Sequence, residues 1–153
     1  MSEAKFYSNY QKGLLTNKNC DIKINRVENT VVPGYPDVTY SIYNKKHKTG
    51  THGFIENKSV RLNKLNVSAI FTINHFTPEQ RVFLYQSYNL VGQGVFLFIK
   101  IAITNNKDIY LLLNGKVAQK VNNASFSELV NECVIYNEGN INYNYLVDSL
   151  TFR

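Results

Sequence analysis

Gly94-Val95-Phe96-Leu97-Phe98-Ile99-Lys100-Ile101-Ala102-Ile103 runs into a polar link, Thr104–Lys107, and then into Asp108-Ile109-Tyr110-Leu111-Leu112-Leu113. Asn114-Gly115 follows, and after it Lys116–Val121. Asn-Gly tolerates the positive φ angles of a two-residue hairpin, so residues 94–121 are predicted to form a three-stranded meander. Period-2 alternation continues on both sides. Ile22 and Ile24 alternate with Asp21, Lys23 and Asn25 in 20–27, and Val38, Tyr40 and Ile42 with Thr39 and Ser41 in 38–43. Val60 and Leu62 do so in 58–65, and Val67, Ala69, Phe71 and Ile73 share a side in 67–76. Further candidate strands are 81–88, 130–136 and 145–152. Short strands at this spacing predict an all-β fold, an antiparallel two-sheet sandwich or a barrel.

Little helix is expected. Thr77-Pro78-Glu79-Gln80 offers an N-cap with proline at the first helical position, but alternation resumes directly after it. Ser125-Phe126-Ser127-Glu128 matches a capping box, and one or two turns of helix are expected there. Pro33-Gly34-Tyr35-Pro36 breaks the chain before the second strand, and His47–Gly53 reads as an exposed loop. Residues 1–19 are expected as a polar N-terminal arm that orders against a partner, and 20–153 as a single β-sandwich domain.

Composition sets the outer limits. The chain has 153 residues, a formal charge of +6, 44% apolar and 18% charged residues. Nine Phe and eleven Tyr supply core material and exclude disorder. Collagen-like, coiled-coil and disulfide-scaffold classes fail on composition. Met1-Ser2-Glu3-Ala4-Lys5 has no apolar signal segment, and the run Val95–Ile103 is shorter than the ~20 residues a membrane helix needs. Synthesis in a cytosol without membrane insertion is the expectation. Cys20 and Cys133 read as two reduced thiols, with a bridge between an early and a late strand as the alternative. Sequons at Asn57, Asn66 and Asn123 read as products of an Asn-rich composition.

From residue 50 onward the order of features resembles a laminin-G or concanavalin A-like jelly roll. The resemblance rests on Gly53-Phe54-Ile55, Ser59-Val60-Arg61-Leu62, Phe71-Thr72-Ile73 with Pro78, the Asn114-Gly115 turn and Leu146-Val147-Asp148-Ser149-Leu150. It covers about residues 50–153 and implies a two-sheet sandwich. A sugar site does not follow, because function lives in the site and not in the fold.

Several chemistries are not expected. A retaining glycosidase needs two carboxylates about 5–5.5 Å apart, and no two acidic residues are two apart on a strand. Cys20 and Cys133 lie in strand-like contexts without a nucleophile turn. His47, His52 and His75 are too dispersed for a zinc site, and the four aspartates are too scattered for calcium. No phosphate loop or dinucleotide fingerprint occurs, so no cofactor and no metal are expected.

Two features suit binding. Lys45, Lys46 and Lys48, with Lys58 and Arg61, form a basic patch, or an ordinary surface in a lysine-rich chain. Tyr88-Asn89 and Asn142-Tyr143, with His52, are candidate ligand-binding residues, since Tyr and Asn suit sugars and protein partners alike. The alternative is general enrichment in both. These readings converge on a non-enzymatic interaction or assembly module, a structural or surface component of a phage or viral virion such as a capsid-decorating or tail protein. A soluble lectin-like carbohydrate-binding protein is the alternative. Protein partners, self-association or a glycan are expected, and nucleic acid is not.

Overall fold

A computed structural model describes residues 2–28 and 31–151. One six-stranded sheet runs through them in the order β1–β6: β1 (Cys20–Arg26), β2 (Val38–Asn44), β3 (Thr49–Leu62), β4 (Val95–Ile103), β5 (Ile109–Asn114) and β6 (Ile135–Glu138). The helices are α1 (Glu3–Leu14), α2 (Pro78–Val91), α3 (Gly115–Ala118), α4 (Phe126–Glu132) and α5 (Tyr143–Thr151). Neighbouring strands are antiparallel except β3 and β4, which pair in parallel from Phe54↔Val95 to Leu62↔Ile103. A parallel pair needs a crossover of a dozen or more residues, and the segment carrying α2 provides it.

The fold is therefore α/β with a single mixed sheet. It replaces the expected all-β, two-sheet jelly roll, and the concanavalin A-like resemblance falls with it. The reason is visible in β4. Val95 to Ile101 is buried without interruption, as a strand must be when helices cover both faces of its sheet. On one face α1 and α5 pack Phe6, Tyr10, Leu14, Leu146 and Leu150 against Ile24, Tyr40, Ile55, Phe96 and Phe98. On the other, α2, α3 and α4 bring Leu84, Val117, Phe126 and Leu129 onto Leu97, Ile99, Leu111 and Leu113.

Several expected strands are helices. Asn114-Gly115 does not turn a hairpin: Asn114 Oδ1 accepts a hydrogen bond from the Val117 N–H at 3.0 Å and caps α3. The two roles share a sequence, because Asn serves equally as N-cap and as turn residue. Gly115 is needed there because a Cβ would run into the Leu84 carbonyl of α2. The capping box at Thr77 opens fourteen residues of α2, absorbing 81–88. The candidate 145–152 is α5 as far as Thr151, residue 152 lying outside the described residues. Residues 67–76 contribute only an isolated bridge, Ile70↔Ser125. Where the polar arm was expected, α1 places Phe6, Tyr7, Tyr10 and Leu14 in the core, with Phe6 stacked 4.9 Å from Phe98. Both cysteines are free thiols.

Candidate active site on β2 and β3

The register of β2 and β3 builds the site. Val38 lies opposite Ile55, so the preceding Asp37 falls opposite Glu56. Side chains two apart on a strand share a face, which puts Lys58 beside Glu56. That face is the α2 side of the sheet, where Phe76 lies under Lys58 with 6.0 Å from its ammonium to the ring centroid. Asn57 projects oppositely and accepts a 2.7 Å hydrogen bond from the Tyr10 hydroxyl of α1. Tyr10 thereby fixes the residue between Glu56 and Lys58.

Two main-chain bonds lock the acids together. The Asp37 N–H donates to Glu56 Oε2 at 3.3 Å, and the Asn57 N–H donates to the Asp37 carboxylate. The Lys58 ammonium sits 3.1 Å from Glu56 Oε1 and donates to the His75 carbonyl at 3.1 Å. The one ammonium thus serves both Oε1 and the His75 carbonyl. Glu56 is fully buried and Lys58 is 3% exposed.

Glu3 extends the cluster. Its carboxylate accepts from the Ser59 N–H at 3.3 Å and lies 2.8 Å from His75 Nε2. Arg26 and Gln80 line a groove of about 360 Å³ that leads to Asp37 between β1 and the 31–37 loop. Gly34, at φ +80°, lets that loop press on the first turn of α2 where a Cβ would meet the Glu79 carbonyl.

Electrostatics follow from burial. Desolvation is the largest influence on Glu56, Asp37 repels it next, and Lys58 offsets only part, so its carboxyl is pushed up to about 7. Asp37 is also raised, by burial first, with Lys58 and the Asn57 N–H acting against it. A carboxylate pair that resists ionisation in its own fold gains most from an added cation. Among the described residues no group of three or more His, Cys, Asp or Glu side chains forms a metal cage. Asp37 lining a groove, with the buried Glu56 behind it, still suits magnesium, which keeps several waters and binds through one or two carboxylates plus substrate phosphate.

The residues expected from sequence are dispersed. His52 is exposed near the start of β3, with Nδ1 2.9 Å from Ser41 Oγ. Tyr88 and Asn89 end α2, where Tyr88 is half-buried beside Gly115. Asn142 caps α5 through its 3.0 Å bond from the Tyr145 N–H, and Tyr143 packs on Gly13 beyond the opposite face of the sheet. Lys45, Lys46 and Lys48 form the β2–β3 turn, Arg61 lies near the other end of β3, and Lys58 is inside. Acids two apart on one strand are the wrong pattern for Asp37 and Glu56, which meet across a strand pair. The readable signal is Glu56-Asn57-Lys58, an acid and a cation on one face of a strand, set between the apolar Phe54-Ile55 and Val60.

Two premises carried the expectation of a non-enzymatic virion component or lectin: facing sheets, and no converging acids. The single mixed sheet removes the first and the Asp37–Glu56 pair the second. The assignment as a non-enzyme, the virion location and the exclusion of nucleic acid are withdrawn with them. Among the described residues, no helix is long and apolar enough to cross a membrane.

No protein-family model matches the chain and no curated protein matches its sequence. Among solved structures it is similar to Archaeoglobus fulgidus Hjc, a Holliday junction resolvase from an archaeal hyperthermophile, at 13% identity and a TM-score of 0.36, over 72% of this chain and 78% of that one. A likeness that loose transfers no activity to this chain.

Proposed function

We propose that the protein hydrolyses phosphodiester bonds of nucleic acid, using Asp37 and Glu56 to hold a divalent cation and Lys58 to stabilise charge at phosphorus. The observation behind the reading is the wholly buried Glu56, clamped to Asp37 by the Asp37 N–H and set 3.1 Å from a buried lysine. Structural ion pairs pair off their charges. Here Asp37 and Glu56 share Lys58, Arg26 acts only weakly on Asp37, and both acids are left hard to ionise. Perturbed groups of this kind beside a groove mark functional sites.

Each residue then has a task. Hydrolysis forms a bond from a water oxygen to phosphorus, breaks one ester P–O bond, and delivers the water's protons to solvent and to the departing oxygen. Negative charge grows on the phosphoryl oxygens on the way. Lys58, held by the His75 carbonyl and by Phe76, presents a fixed positive charge to it at no reorganisation cost. Arg26 at the groove can meet an incoming phosphate. Asp37 and Glu56, the donors suited to a hard cation, would hold a magnesium ion, which polarises phosphoryl oxygens and lowers the pKa of water. The net charge of +6 favours a polyanionic substrate over a small phosphate ester.

The test is incubation of the protein with supercoiled plasmid DNA and with RNA, with magnesium or with chelator. Magnesium-dependent cleavage that disappears in Asp37→Asn and Glu56→Gln supports the reading. Equal activity in the wild type and both variants, or none in the wild type with any divalent metal, removes it.

A further inference from the structure

The helices α2, α3 and α4 pack over β4 and β5, and Phe83 of α2 with Tyr35 covers Phe54, leaving β1, β2 and the start of β3 as far as His52 exposed on the same face that carries Glu56 and Lys58. Register arranges that face in rows. Asp37 and Glu56 are followed by Asn25–Thr39–Phe54, then Lys23–Ser41–His52, then Asp21–Tyr43–Gly50. Lys23 and His52 are exposed, Tyr43 is 44% exposed, and with Ser41 they line a groove of about 510 Å³. None of these four belongs to either hydrophobic core. Beyond them the β2–β3 turn carries Lys45, Lys46 and Lys48, all exposed. The turn is fixed, because Asn44 Oδ1 accepts from the Lys46 and His47 N–H groups at 3.0 Å each.

We infer that this uncovered face, ending in the Lys45–Lys48 turn, is the surface along which duplex nucleic acid lies when one of its phosphates enters the site at Asp37, Glu56 and Lys58. The inference rests on the phosphodiester reading of that site. Charge supports it. Four lysines stand here against one acid, Asp21, whose 3.3 Å pair with Lys45 is exposed on both sides and therefore weak. Polar hydroxyls of Thr39 and Ser41 lie between the site and the turn, where phosphate oxygens would need donors. A single strand would require a succession of free rings to stack on. Phe54 is instead engaged edge-on by Tyr35, Phe83 and His52, leaving Tyr43 and the His52 imidazole, not a succession of free rings, exposed on the face. From Asp37 to Lys45 is eight residues of strand, about 26 Å. That equals about eight base pairs at ~3.4 Å each, so contact should extend about eight base pairs to one side of the cut.

The test measures binding and chemistry separately on the full chain. Duplex affinity is read by fluorescence anisotropy in chelator, with duplexes of four to twenty base pairs and with the matching single strand. Hydrolysis of bis(p-nitrophenyl) phosphate, too small to reach the turn, is read with magnesium. The variants are Lys45→Glu/Lys46→Glu/Lys48→Glu and, on a different strand, Lys23→Glu. At 0.1 M salt the triple variant is expected to bind duplex at least tenfold more weakly. Its slope of log K against log salt should flatten by about 0.9 for each lysine–phosphate pairing removed, while small-diester hydrolysis stays at the wild-type rate. Lys23→Glu should weaken duplex binding several-fold with the same unchanged chemistry. Wild-type affinity and slope in both variants would overturn the inference, as would single strand bound more tightly than duplex. A wild-type dimer that the triple variant dissociates, with duplex affinity intact, would assign the face to a second copy of the chain and overturn it too. If duplex binding falls as expected but the wild type hydrolyses no diester, the surface stands and the reading of the site fails.

Discussion

Replacing Glu56 by Gln should abolish cleavage and at the same time stabilise the fold above neutral pH. Glu56 carries an ordinary carboxyl pKa of 4.5 when unfolded and about 7 in the fold. With the folded value raised, the native state binds more protons than the unfolded state between these limits. Stability from this group is therefore greatest at low pH and is lost as pH rises towards 7 and beyond. Integration from pH 5 to pH 8 gives a loss of about 2–3 kcal/mol in the wild type. The neutral, isosteric Gln removes that loss. Urea denaturation of both proteins at half-unit steps from pH 5 to 8 reads the difference directly, because all other titrating groups are shared. The stabilities should lie close together at pH 5 and diverge to a Gln advantage of about 2 kcal/mol at pH 8. If Glu56 is instead the favourable half of a structural ion pair, Glu56→Gln should cost about 3–5 kcal/mol at every pH through the stranded Lys58. Parallel curves with that offset would show that burial does not disfavour the Glu56 charge.

Other consequences concern its neighbours. Lys58→Met leaves the buried Glu56 and the half-buried Asp37 without their shared cation, and should cost about 3–5 kcal/mol of stability by urea titration and eliminate cleavage while leaving magnesium able to bind. Asp37→Asn removes the second-largest influence raising Glu56, so the fall in stability with rising pH should shrink and end at a lower pH, as carboxyl NMR of Glu56 would show directly. Tyr10→Phe deletes the 2.7 Å bond to Asn57 Oδ1. It should lower stability by about 1–3 kcal/mol, since the acceptor is left buried without its donor, with a smaller relative effect on cleavage.

Strand positions are legible where alternation or burial is strong. The expected segments 20–27, 38–43, 94–103 and 108–113 coincide closely with β1, β2, β4 and β5. What periodicity does not supply is the second layer. Seven consecutive buried residues of β4 require cover on both faces, and helices give it. Yet α2 hides its period: among its fourteen residues Leu84 is the fully buried one, while Val82, Leu90 and Val91 face outward. Asn114 and Thr77 show the limit of local signals, since each cap marks a true boundary without revealing whether a strand or a helix lies beyond it. The site is hidden for a different reason. Asp37 and Glu56 are nineteen residues apart in sequence and adjacent only through a strand register that the turn at Lys45–Lys48 sets. Lys58 stands out in the sequence only as a member of a surface patch, because a lone lysine gives no sign of burial until its partner carboxylate is placed beside it.

Whether Asp37 and Glu56 together hold a divalent cation decides the catalytic reading. Calorimetric titration of magnesium, repeated in buffers of different ionisation heat, measures both binding and the proton it displaces. With Glu56 titrating near 7, binding at pH 6 should release close to one proton per ion, falling towards zero at pH 8, and should vanish in Asp37→Asn/Glu56→Gln. Absence of binding in the wild type, or binding that the double variant retains with the same proton count, would mean that these carboxylates hold no metal.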